Sequence, residues 1–293
     1  MTPNRIIDRR AFLAGSAAFA TACAARPTQA LRVTADFRAL RESLGEGGRL
    51  GVAAYDEGSG RWLVQDEQSR YAMCSTFKLP LAAAILHEAE RGRLSLEEEI
   101  AFTRADLIDH APVVGANLSV GRLSVERLCA AAVEVSDNSA ANLLLARIGG
   151  PEGLTRFIRQ CGDSVTRLDR NEPSLNTNLP GDPRDTTTPA AMIGLLRALL
   201  LGRVLRRASS GLLARWMKGS TTGRNRLRAG LPTDWEVGDK TGTGNGANND
   251  IAVAWPPGRP PILIATYTSG PAQGPARNAV HASVARAVAA AFA

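Results

Sequence analysis

Hydrophobic residues follow a strand-like pattern in two separate parts of the chain. In the first part, Leu50–Asp56 and Arg61–Asp66 flank Glu57-Gly58-Ser59-Gly60, a turn sequence that predicts a β-hairpin. In the second part, Gly- and Pro-rich stretches at Gly244–Asn249 and Pro256–Pro261 are predicted to be turns between strands. The strands predicted there are Trp235–Thr243, Asp250–Trp255 and Pro261–Ser269.

Between these two groups of strands, the spacing of hydrophobic residues changes to that of helices. Gly, Pro and Asn separate the segments, and Thr188 followed by Pro189 is typical of a helix start. The helices predicted in this region include Thr76–Arg91, Val125–Val135, Ser139–Ile148, Pro151–Gln160 and Pro189–Leu201. Two terminal helices are predicted as well, at Leu31–Leu44 and Asn278–Ala291.

This order of elements predicts an α/β (α+β) fold. Because sequential strands tend to pair, we expect one five-stranded antiparallel sheet flanked by helices, with an all-α lobe inserted between its second and third strands. The predicted α/β lobe is discontinuous and comprises residues 31–66 and 219–293, whereas the all-α lobe comprises residues 67–218. A cleft between two such lobes is a natural ligand site.

The first 30 residues have the composition of an export signal. Arg9 and Arg10 precede a Phe-Leu step and an uncharged apolar stretch that ends at Ala25, as in twin-arginine signals. Cleavage after Ala30, or after Ala24 or Ala25, would leave the protein periplasmic or secreted. A lipid anchor at Cys23 is the alternative.

Composition excludes several other classes of protein. Hydrophobic residues make up 44% and charged residues 22% of the 293 residues, which is typical of a globular domain. The net charge is +7, but the arginines are scattered along the chain, so no nucleic-acid partner is expected. The three histidines are not at metal-ligand spacing, and neither a metal nor a cofactor is predicted. The most apolar later stretch, Ala190–Leu201, contains Arg197, so no stable membrane span is expected. The protein is expected to be a monomer.

The first candidate for chemistry is Ser75-Thr76-Phe77-Lys78, at the start of a predicted helix. Residues three positions apart share a helix face, so the ammonium group of Lys78 would lie beside the hydroxyl of Ser75. Serine needs a nearby base to act as a nucleophile, and a helix N-terminus helps to hold an oxyanion. The alternative is an ordinary helix cap, but the chain has only three lysines, which favours a functional role for Lys78.

Three further polar segments could complete a site. They are Ser136-Asp137-Asn138, Glu172-Pro173-Ser174-Leu175-Asn176 and Lys240-Thr241-Gly242-Thr243-Gly244. The second lies in a long irregular stretch, and Arg170 and Asp185 could pair across its neck. The third combines a cation, two hydroxyls and glycines, which suits an anion site. The alternatives are a capping box, a surface loop and a solvated strand end, respectively.

Together, the four segments resemble the class A serine β-lactamases, in which Ser-x-x-Lys, Ser-Asp-Asn and Lys-Thr-Gly motifs occur in this order. The resemblance covers roughly residues 31–293 and includes Arg184-Asp185-Thr186-Thr187-Thr188-Pro189 and Thr221-Thr222-Gly223. It implies the fold described above. It also implies a hydrolase that opens the β-lactam amide of penicillins and cephalosporins through an acyl-enzyme, and thereby confers β-lactam resistance.

The resemblance also implies which residues form and release the acyl-enzyme. Ser75 would attack the β-lactam carbonyl, and either Lys78 or Glu172 would take its proton. Ser136, assisted by the lysine of Lys-Thr-Gly, would pass a proton to the departing lactam nitrogen. Glu172 and Asn176 would hold the water that hydrolyses the acyl-enzyme.

Other residues are implied to bind the substrate. Asn138 would hydrogen-bond Lys78 and the side-chain amide of the substrate. The backbone N–H groups of Ser75 and Thr243 would form the oxyanion hole. The segment expected to meet the substrate carboxylate comprises Lys240, Thr241, Gly242 and Thr243.

Three positions depart from the family pattern. Asn248-Asn249-Asp250 stands where many relatives have an arginine, so Arg226 is expected to supply that cation, with a plain surface arginine as the alternative. His110 replaces an aromatic gatekeeper and would stack on substrate, unless it is a solvent-facing loop residue. Cys74 lacks the cysteine partner that some relatives have, because Gly244 occupies that position, and a buried free thiol is expected.

The main alternative function is that of a penicillin-binding D-Ala-D-Ala peptidase or transpeptidase, which uses the same serine and lysine motifs on peptidoglycan stem peptides. Glu172 with Asn176 favours hydrolysis, since without a positioned water the acyl-enzyme persists. A non-catalytic β-lactam sensor and a Ser-His-Asp esterase are weaker alternatives, the latter because no Gly-x-Ser-x-Gly segment occurs.

Overall fold

A central β-sheet with helices on both faces organises the chain. The computed structural model describes residue 1, residues 32–34 and residues 36–292, so the predicted export signal and Cys23 lie outside the described residues. The strands are β1 (Arg32–Thr34), β2 (Arg49–Asp56), β3 (Trp62–Gln65), β4 (Tyr71–Ala72), β5 (Glu99–Ala101), β6 (Arg122–Ser124), β7 (Thr186–Thr187), β8 (Glu236–Thr243), β9 (Ala247–Trp255) and β10 (Ile262–Ser269).

The helices lie mainly between β3 and β8. They are α1 (Arg38–Glu42), α2 (Lys78–Glu90), α3 (Pro112–Ala116), α4 (Val125–Glu134), α5 (Asn138–Arg147), α6 (Gly150–Gln160), α7 (Pro189–Leu200), α8 (Arg207–Lys218) and α9 (Gly274–Phe292). Short 3₁₀ turns occupy Cys74–Phe77, Arg104–Asp106, Ser174–Asn176 and Leu227–Gly230. None of the helices described here is long and apolar enough to cross a membrane.

The five predicted strands form the expected antiparallel sheet. The strand order of the sheet is β1-β3-β2-β10-β9-β8, and β4–β7 and β5–β6 form two small separate ribbons. Every pair among the five strands is antiparallel, whereas β1 adds to the edge of β3 in parallel. The predicted fold is therefore confirmed, with one short additional strand.

The helix predicted at Leu31–Leu44 is wrong in its first half. Residues Arg32–Thr34 form a strand, and the helix covers only Arg38–Glu42. The free edge of β3 offers unpaired backbone groups, and Val33 lies opposite Leu63 in that ladder. A tertiary pairing therefore overrides the helical spacing of the apolar residues.

The turn predicted at Gly244–Asn249 is also too long, because β9 already begins at Ala247. The polar residue Asn249 is buried inside the strand, where its side-chain amide donates to the carbonyls of Ala72 (2.8 Å) and Met73 (3.1 Å). These contacts hold the sheet against the segment that leads into α2.

The two faces of the sheet bury alternate residues, as expected for strands that are covered on both sides. On one face, Ala53, Val253 and Leu263 belong to a large core shared with helices α2 to α8. On the other face, residues such as Val52 and Ala252 pack with α9 in a second core. Helix α2 is buried from Lys78 to Leu86, which makes it the central helix of the first core.

Candidate active site

The Ser-x-x-Lys segment lies where a 3₁₀ turn passes into the buried helix α2. The Nζ atom of Lys78 donates to the Oγ atom of Ser75 over 3.0 Å, so the two side chains share one face as predicted. Lys78 is fully buried, whereas Ser75 is partly exposed. The serine hydroxyl therefore borders the solvent side of a buried amine.

The Ser-Asp-Asn segment joins α4 to α5, and its three residues have different roles. Lys78 donates to the backbone carbonyl of Ser136 (2.8 Å), to its hydroxyl (3.4 Å) and to Oδ1 of Asn138. The carboxylate of Asp137 caps α5 through the N–H of Ala140 (2.8 Å) and also accepts from the start of α3. Asp137 is thus structural, and its two neighbours face the lysine.

Strand β8 brings a second lysine to the same place. The Nζ atom of Lys240 donates to Oγ of Ser136 over 3.0 Å and to the carbonyl of Thr241 over 2.8 Å. A Cβ atom on Gly242 would lie 2.6 Å from the carbonyl oxygen of Met73 and 3.2 Å from the amide nitrogen of Ser75. Only glycine allows β8 to pack this closely on the turn that carries the serine.

The long loop places Glu172 beside Ser75 and Lys78. Oε1 of Glu172 lies 3.2 Å from Oγ of Ser75 and 3.1 Å from Nζ of Lys78, while Oε2 accepts from the amide of Asn176 over 2.6 Å. At the neck, Arg170 and Asp185 form the predicted ion pair at 2.6 Å. The loop thus carries its carboxylate into the site rather than over the surface.

These residues border one cavity of about 270 Å³. It is lined by Ser75, His110, Ser136, Asn138, Asn176, Thr222, Arg226, Thr241 and Thr243. Lys78, Glu172 and Lys240 lie behind this lining. A larger cavity of about 470 Å³ lies behind the long loop, but none of the predicted site residues lines it.

Burial sets the electrostatics of the site. Desolvation lowers the pKa of Lys78, although the nearby carboxylate of Glu172 opposes that shift. Desolvation also places the pKa of Lys240 well below its ordinary value, and the charge of Lys78 adds to the effect. Both lysines are therefore easier to deprotonate than exposed lysines, which suits groups that exchange protons.

Arg226 borders the cavity beside β8 and is only 9% exposed, so it is not a plain surface arginine. Nη1 donates to the carbonyls of Gly242 (3.1 Å) and Asn249 (2.7 Å), and Nη2 donates to Oγ1 of Thr243 (2.8 Å). Nε donates to Oδ1 of Asn278 over 3.2 Å. The guanidinium group is thus held rigidly next to the Lys-Thr-Gly segment.

His110 is an exposed residue that lines the same cavity. Its Nε2 atom is 2.9 Å from the carbonyl oxygen of Val135, and its own carbonyl accepts from the N–H of Asn138 over 2.9 Å. The residue adopts a left-handed backbone conformation with φ of 61°. The predicted stacking of His110 on substrate stays a prediction.

Two residues of the site were missed at the level of sequence. Thr222 lines the cavity, and its hydroxyl lies 2.7 Å from that of Thr241. The side chain of Asn142 binds both the N–H and the carbonyl of Glu172, each over 3.0 Å. Thr222 belongs to the Thr-Thr-Gly segment that supported the family resemblance, but Asn142 gave no sequence signal.

Cys74 is a free, buried thiol, as predicted, and burial raises its pKa to about 12. A Cβ atom on Gly244 would lie 2.6 Å from its Sγ atom, so the glycine occupies the place of a partner. Among the described residues, no group of three or more His, Cys, Asp or Glu side chains is arranged to hold a metal ion.

Sequence comparison with known proteins finds relatives that all belong to one enzyme family. Residues 33–292 match the sequence model of the beta-lactamase enzyme family. Beta-lactamase CTX-M-8 of Citrobacter amalonaticus is 46% identical over 246 residues, which cover 84% of each chain. Beta-lactamase AST-1 of Nocardia asteroides is 44% identical over 280 residues, which cover 91% of this chain and 90% of the relative.

Solved structures show the same architecture. The ancestral (GNCA) class A beta-lactamase superposes with a TM-score of 0.84 at 50% sequence identity, covering 87% of this chain and 98% of that chain. The last common ancestor of Gram-negative bacteria (GNCA4) class A beta-lactamase gives a TM-score of 0.83 at 53% identity, covering 87% and 100%.

Proposed function

Because this chain belongs to the beta-lactamase enzyme family and is a class A serine β-lactamase, a hydrolase of cyclic amides, we propose that it hydrolyses penicillins and cephalosporins in the cavity beside Ser75. One observation carries the proposal: Oγ of Ser75 lies 3.0 Å from Nζ of Lys78 and 3.2 Å from Oε1 of Glu172. A weak nucleophile thus has two proton acceptors within reach.

In the acylation step, Oγ of Ser75 attacks the lactam carbonyl carbon and its proton passes to Lys78 or to Glu172. The lowered pKa of Lys78 supports its use as a neutral amine, while the 3.2 Å contact supports Glu172. The ring C–N bond then breaks, and the nitrogen takes a proton from the hydroxyl of Ser136. Ser136 regains a proton from Lys78, 3.4 Å away, which returns the proton released by Ser75, either directly or from Glu172 across its 3.1 Å contact with Lys78. Lys240, 3.0 Å from the same hydroxyl, assists this transfer.

The backbone N–H groups of Ser75 and Thr243 are proposed to bind the developing oxyanion. Their approach is supported by the close packing of Gly242 on the serine turn. Removing one such donor typically costs about 3–4 kcal/mol of transition-state stabilisation. The lactam nitrogen and this oxyanion hole then lie on either side of the reacting carbon.

Substrate recognition is proposed to involve both ends of the cavity. The substrate carboxylate would meet the hydroxyls of Thr241 and Thr243 beside Arg226, with Lys240 behind them. At the other end, Asn138 and His110 would contact the acylamide side chain. The polar lining and the volume of about 270 Å³ support a small, anionic ligand.

Deacylation is proposed to use Glu172 as the base that takes a proton from the attacking water, with Asn176 orienting both. The 2.6 Å contact between the Asn176 amide and Oε2 of Glu172 supports this pairing. It also argues against the peptidase alternative, in which the acyl-enzyme is passed to another acceptor. The relatives found for this chain are named beta-lactamases.

The site takes residues from both predicted lobes. Ser75, Ser136 and Glu172 belong to the proposed all-α lobe (67–218), whereas Lys240 and Arg226 belong to the α/β lobe (31–66 and 219–293).

We further propose export through a twin-arginine-type signal, with lipid attachment at Cys23 as the alternative, and action as a monomer. The mass of the mature protein purified from its native host tests signal cleavage and lipid attachment. Its elution volume in size-exclusion chromatography tests whether it is a monomer.

The direct test of function is turnover of nitrocefin by the purified mature chain, with Ser75→Ala as the matched control. We expect hydrolysis by the wild-type protein and none above background by the variant. A wild-type protein that is acylated by benzylpenicillin once and does not turn over would favour the peptidase alternative instead.

A further inference from the structure

Asp250 is a fully buried carboxyl group that the proposed reaction does not use. It lies in the middle of the sheet, on β9, directly opposite Thr241 of β8 and Thr266 of β10. Its Oδ2 atom accepts a hydrogen bond from the backbone N–H of Leu227 over 3.0 Å. Its Oδ1 atom has no hydrogen-bond partner among the described residues.

The backbone N–H group that Asp250 binds lies next to Arg226 in the chain. Leu227 directly follows Arg226 and begins the 3₁₀ turn Leu227–Gly230, so the carboxyl group holds the backbone from which Arg226 extends. The guanidinium group of Arg226 reaches the cavity, where it donates to the hydroxyl of Thr243 over 2.8 Å. A continuous set of contacts therefore joins the buried acid to the cavity wall.

The neighbouring buried carboxylate makes a useful contrast. Asp239 forms an ion pair with Arg228 and accepts a hydrogen bond from Ser220 over 2.8 Å, so its charge has partners of its own. Burial raises the pKa of Asp250 well above its ordinary value, and the charge of Asp239 raises it further. A neutral acid keeps one acceptor oxygen for the N–H of Leu227, and asparagine offers the same acceptor.

We propose that Asp250 is a positioning residue: through the backbone of Leu227 it holds Arg226, which in turn holds Thr243 at the end of the cavity that takes the substrate carboxylate. The inference rests on the proposed role of Arg226 in substrate binding. It predicts that loss of Asp250 weakens substrate binding more than it slows the chemical steps.

The kinetic test is a double-mutant cycle with benzylpenicillin. Asp250→Ala, Asp250→Asn and Thr266→Val are each made in the wild-type and in the Arg226→Ala background. Thr266 is the matched control, because it is a buried cross-strand neighbour whose hydroxyl has no hydrogen-bond partner among the described residues. All variants are first compared by circular dichroism and thermal unfolding.

We expect Arg226→Ala and Asp250→Ala each to raise KM about tenfold, which is the effect of losing one hydrogen bond to the charged carboxylate of the substrate, with kcat changed less than about threefold. Asp250→Asn should keep KM within about twofold of wild type, and Thr266→Val should not change KM. In the Arg226→Ala background, Asp250→Ala should raise KM no further.

The inference is overturned if the effects of Asp250→Ala and Arg226→Ala on KM multiply, if Asp250→Ala leaves KM unchanged, or if Asp250→Asn is as impaired as Asp250→Ala. Should Asp250→Ala fail to fold, Asp250→Leu keeps the branched shape of the side chain, removes the acceptor and enters the same cycle.

A second measurement needs no turnover. In ¹⁵N-labelled protein, Asp250→Ala should shift or broaden the Nε–H resonance of Arg226, whereas Thr266→Val should not. An unmoved resonance contradicts the inference even in an active enzyme. A moved resonance in a protein that does not hydrolyse β-lactams supports the positioning role and refutes the proposed function.

Discussion

Nζ of Lys240 lies 3.0 Å from Oγ of Ser136, and this hydrogen bond joins the sheet to the helical side of the cavity. Lys78 lies on the other side of the same hydroxyl, at 3.4 Å. Burial lowers the pKa of both lysines. The hydroxyl of Ser136 therefore lies between two amines that can exchange a proton with it.

Replacing Ser136 by alanine should slow acylation, because the departing nitrogen loses its proton donor. A rate loss of about 10²–10⁴-fold is typical for removal of a general acid. Stopped-flow measurement of nitrocefin acylation gives the rate. The matched control is Ser139→Ala, since this buried hydroxyl donates to the carbonyl of Asp106 over 2.8 Å and contacts neither lysine.

The control should lower the free energy of unfolding by about 1 kcal/mol and leave the acylation rate unchanged. Equal slowing in Ser136→Ala and Ser139→Ala would mean that the effect is structural and that Ser136 has no role as a proton relay.

The neck of the long loop should govern deacylation. The buried carboxylate of Asp185 accepts from the N–H groups of Asp169 (2.7 Å) and Arg170 (2.9 Å) and pairs with the guanidinium group of Arg170. We expect Asp185→Ala to destabilise the fold by about 3–5 kcal/mol, as for a broken buried pair, and to misplace Glu172. Single-turnover kinetics should then show deacylation slowed more than acylation.

The comparison for this variant is Asp182→Ala, because Asp182 pairs within the same loop with Arg184, whose side chain is half exposed. Surface pairs of this kind contribute little to stability, so both rates should stay near those of the wild type. If Asp185→Ala slowed acylation and deacylation equally, the loop would not act selectively on the second step.

His281 should make the fold sensitive to acid. It is fully buried on α9, and desolvation lowers its pKa from 6.5 to about 3. The unfolded chain therefore binds a proton that the folded protein does not, and stability is lost as the pH falls from 6.5 towards 3. The free energy of unfolding should fall by about 1.4 kcal/mol per pH unit from this group alone.

Urea unfolding at several pH values measures this slope. A His281→Gln variant should lose one proton from the slope, because glutamine does not titrate. It should still fold, because glutamine can donate to the carbonyl of Asn248, which lies 3.1 Å from Nε2 in the wild type. An unchanged slope in the variant would show that His281 is not the group responsible.

The sequence predicted the fold wherever local patterns and tertiary packing agree. The strand around Val52 and Ala53 alternates between two apolar cores, and the helix that begins at Lys78 is apolar from Leu79 to Leu86. Prediction failed where a partner outside the segment decides. Val33 joins the edge of β3, and Asn249 enters a strand because its amide meets two distant carbonyls.

The residues of the site were also hard to predict from local patterns alone. Ser75, Lys78 and Glu172 were identified because their motifs resemble those of a family, not because spacing alone brings residues 97 positions apart together. Asn142 was missed since one asparagine inside a helix carries no signal, although it holds the backbone of Glu172 on both sides. Such contacts depend on how the loop folds back on α5.

Hydrolysis of the acyl-enzyme by Glu172 is the central claim, and intact-protein mass spectrometry after mixing with benzylpenicillin tests it most directly. Ser75→Ala should form no adduct, which controls for the site of attachment. We expect Glu172→Ala to accumulate a stable adduct of one benzylpenicillin per chain, while the wild-type protein returns to its free mass. A Glu172→Ala variant that clears its adduct as fast as the wild type would contradict the account.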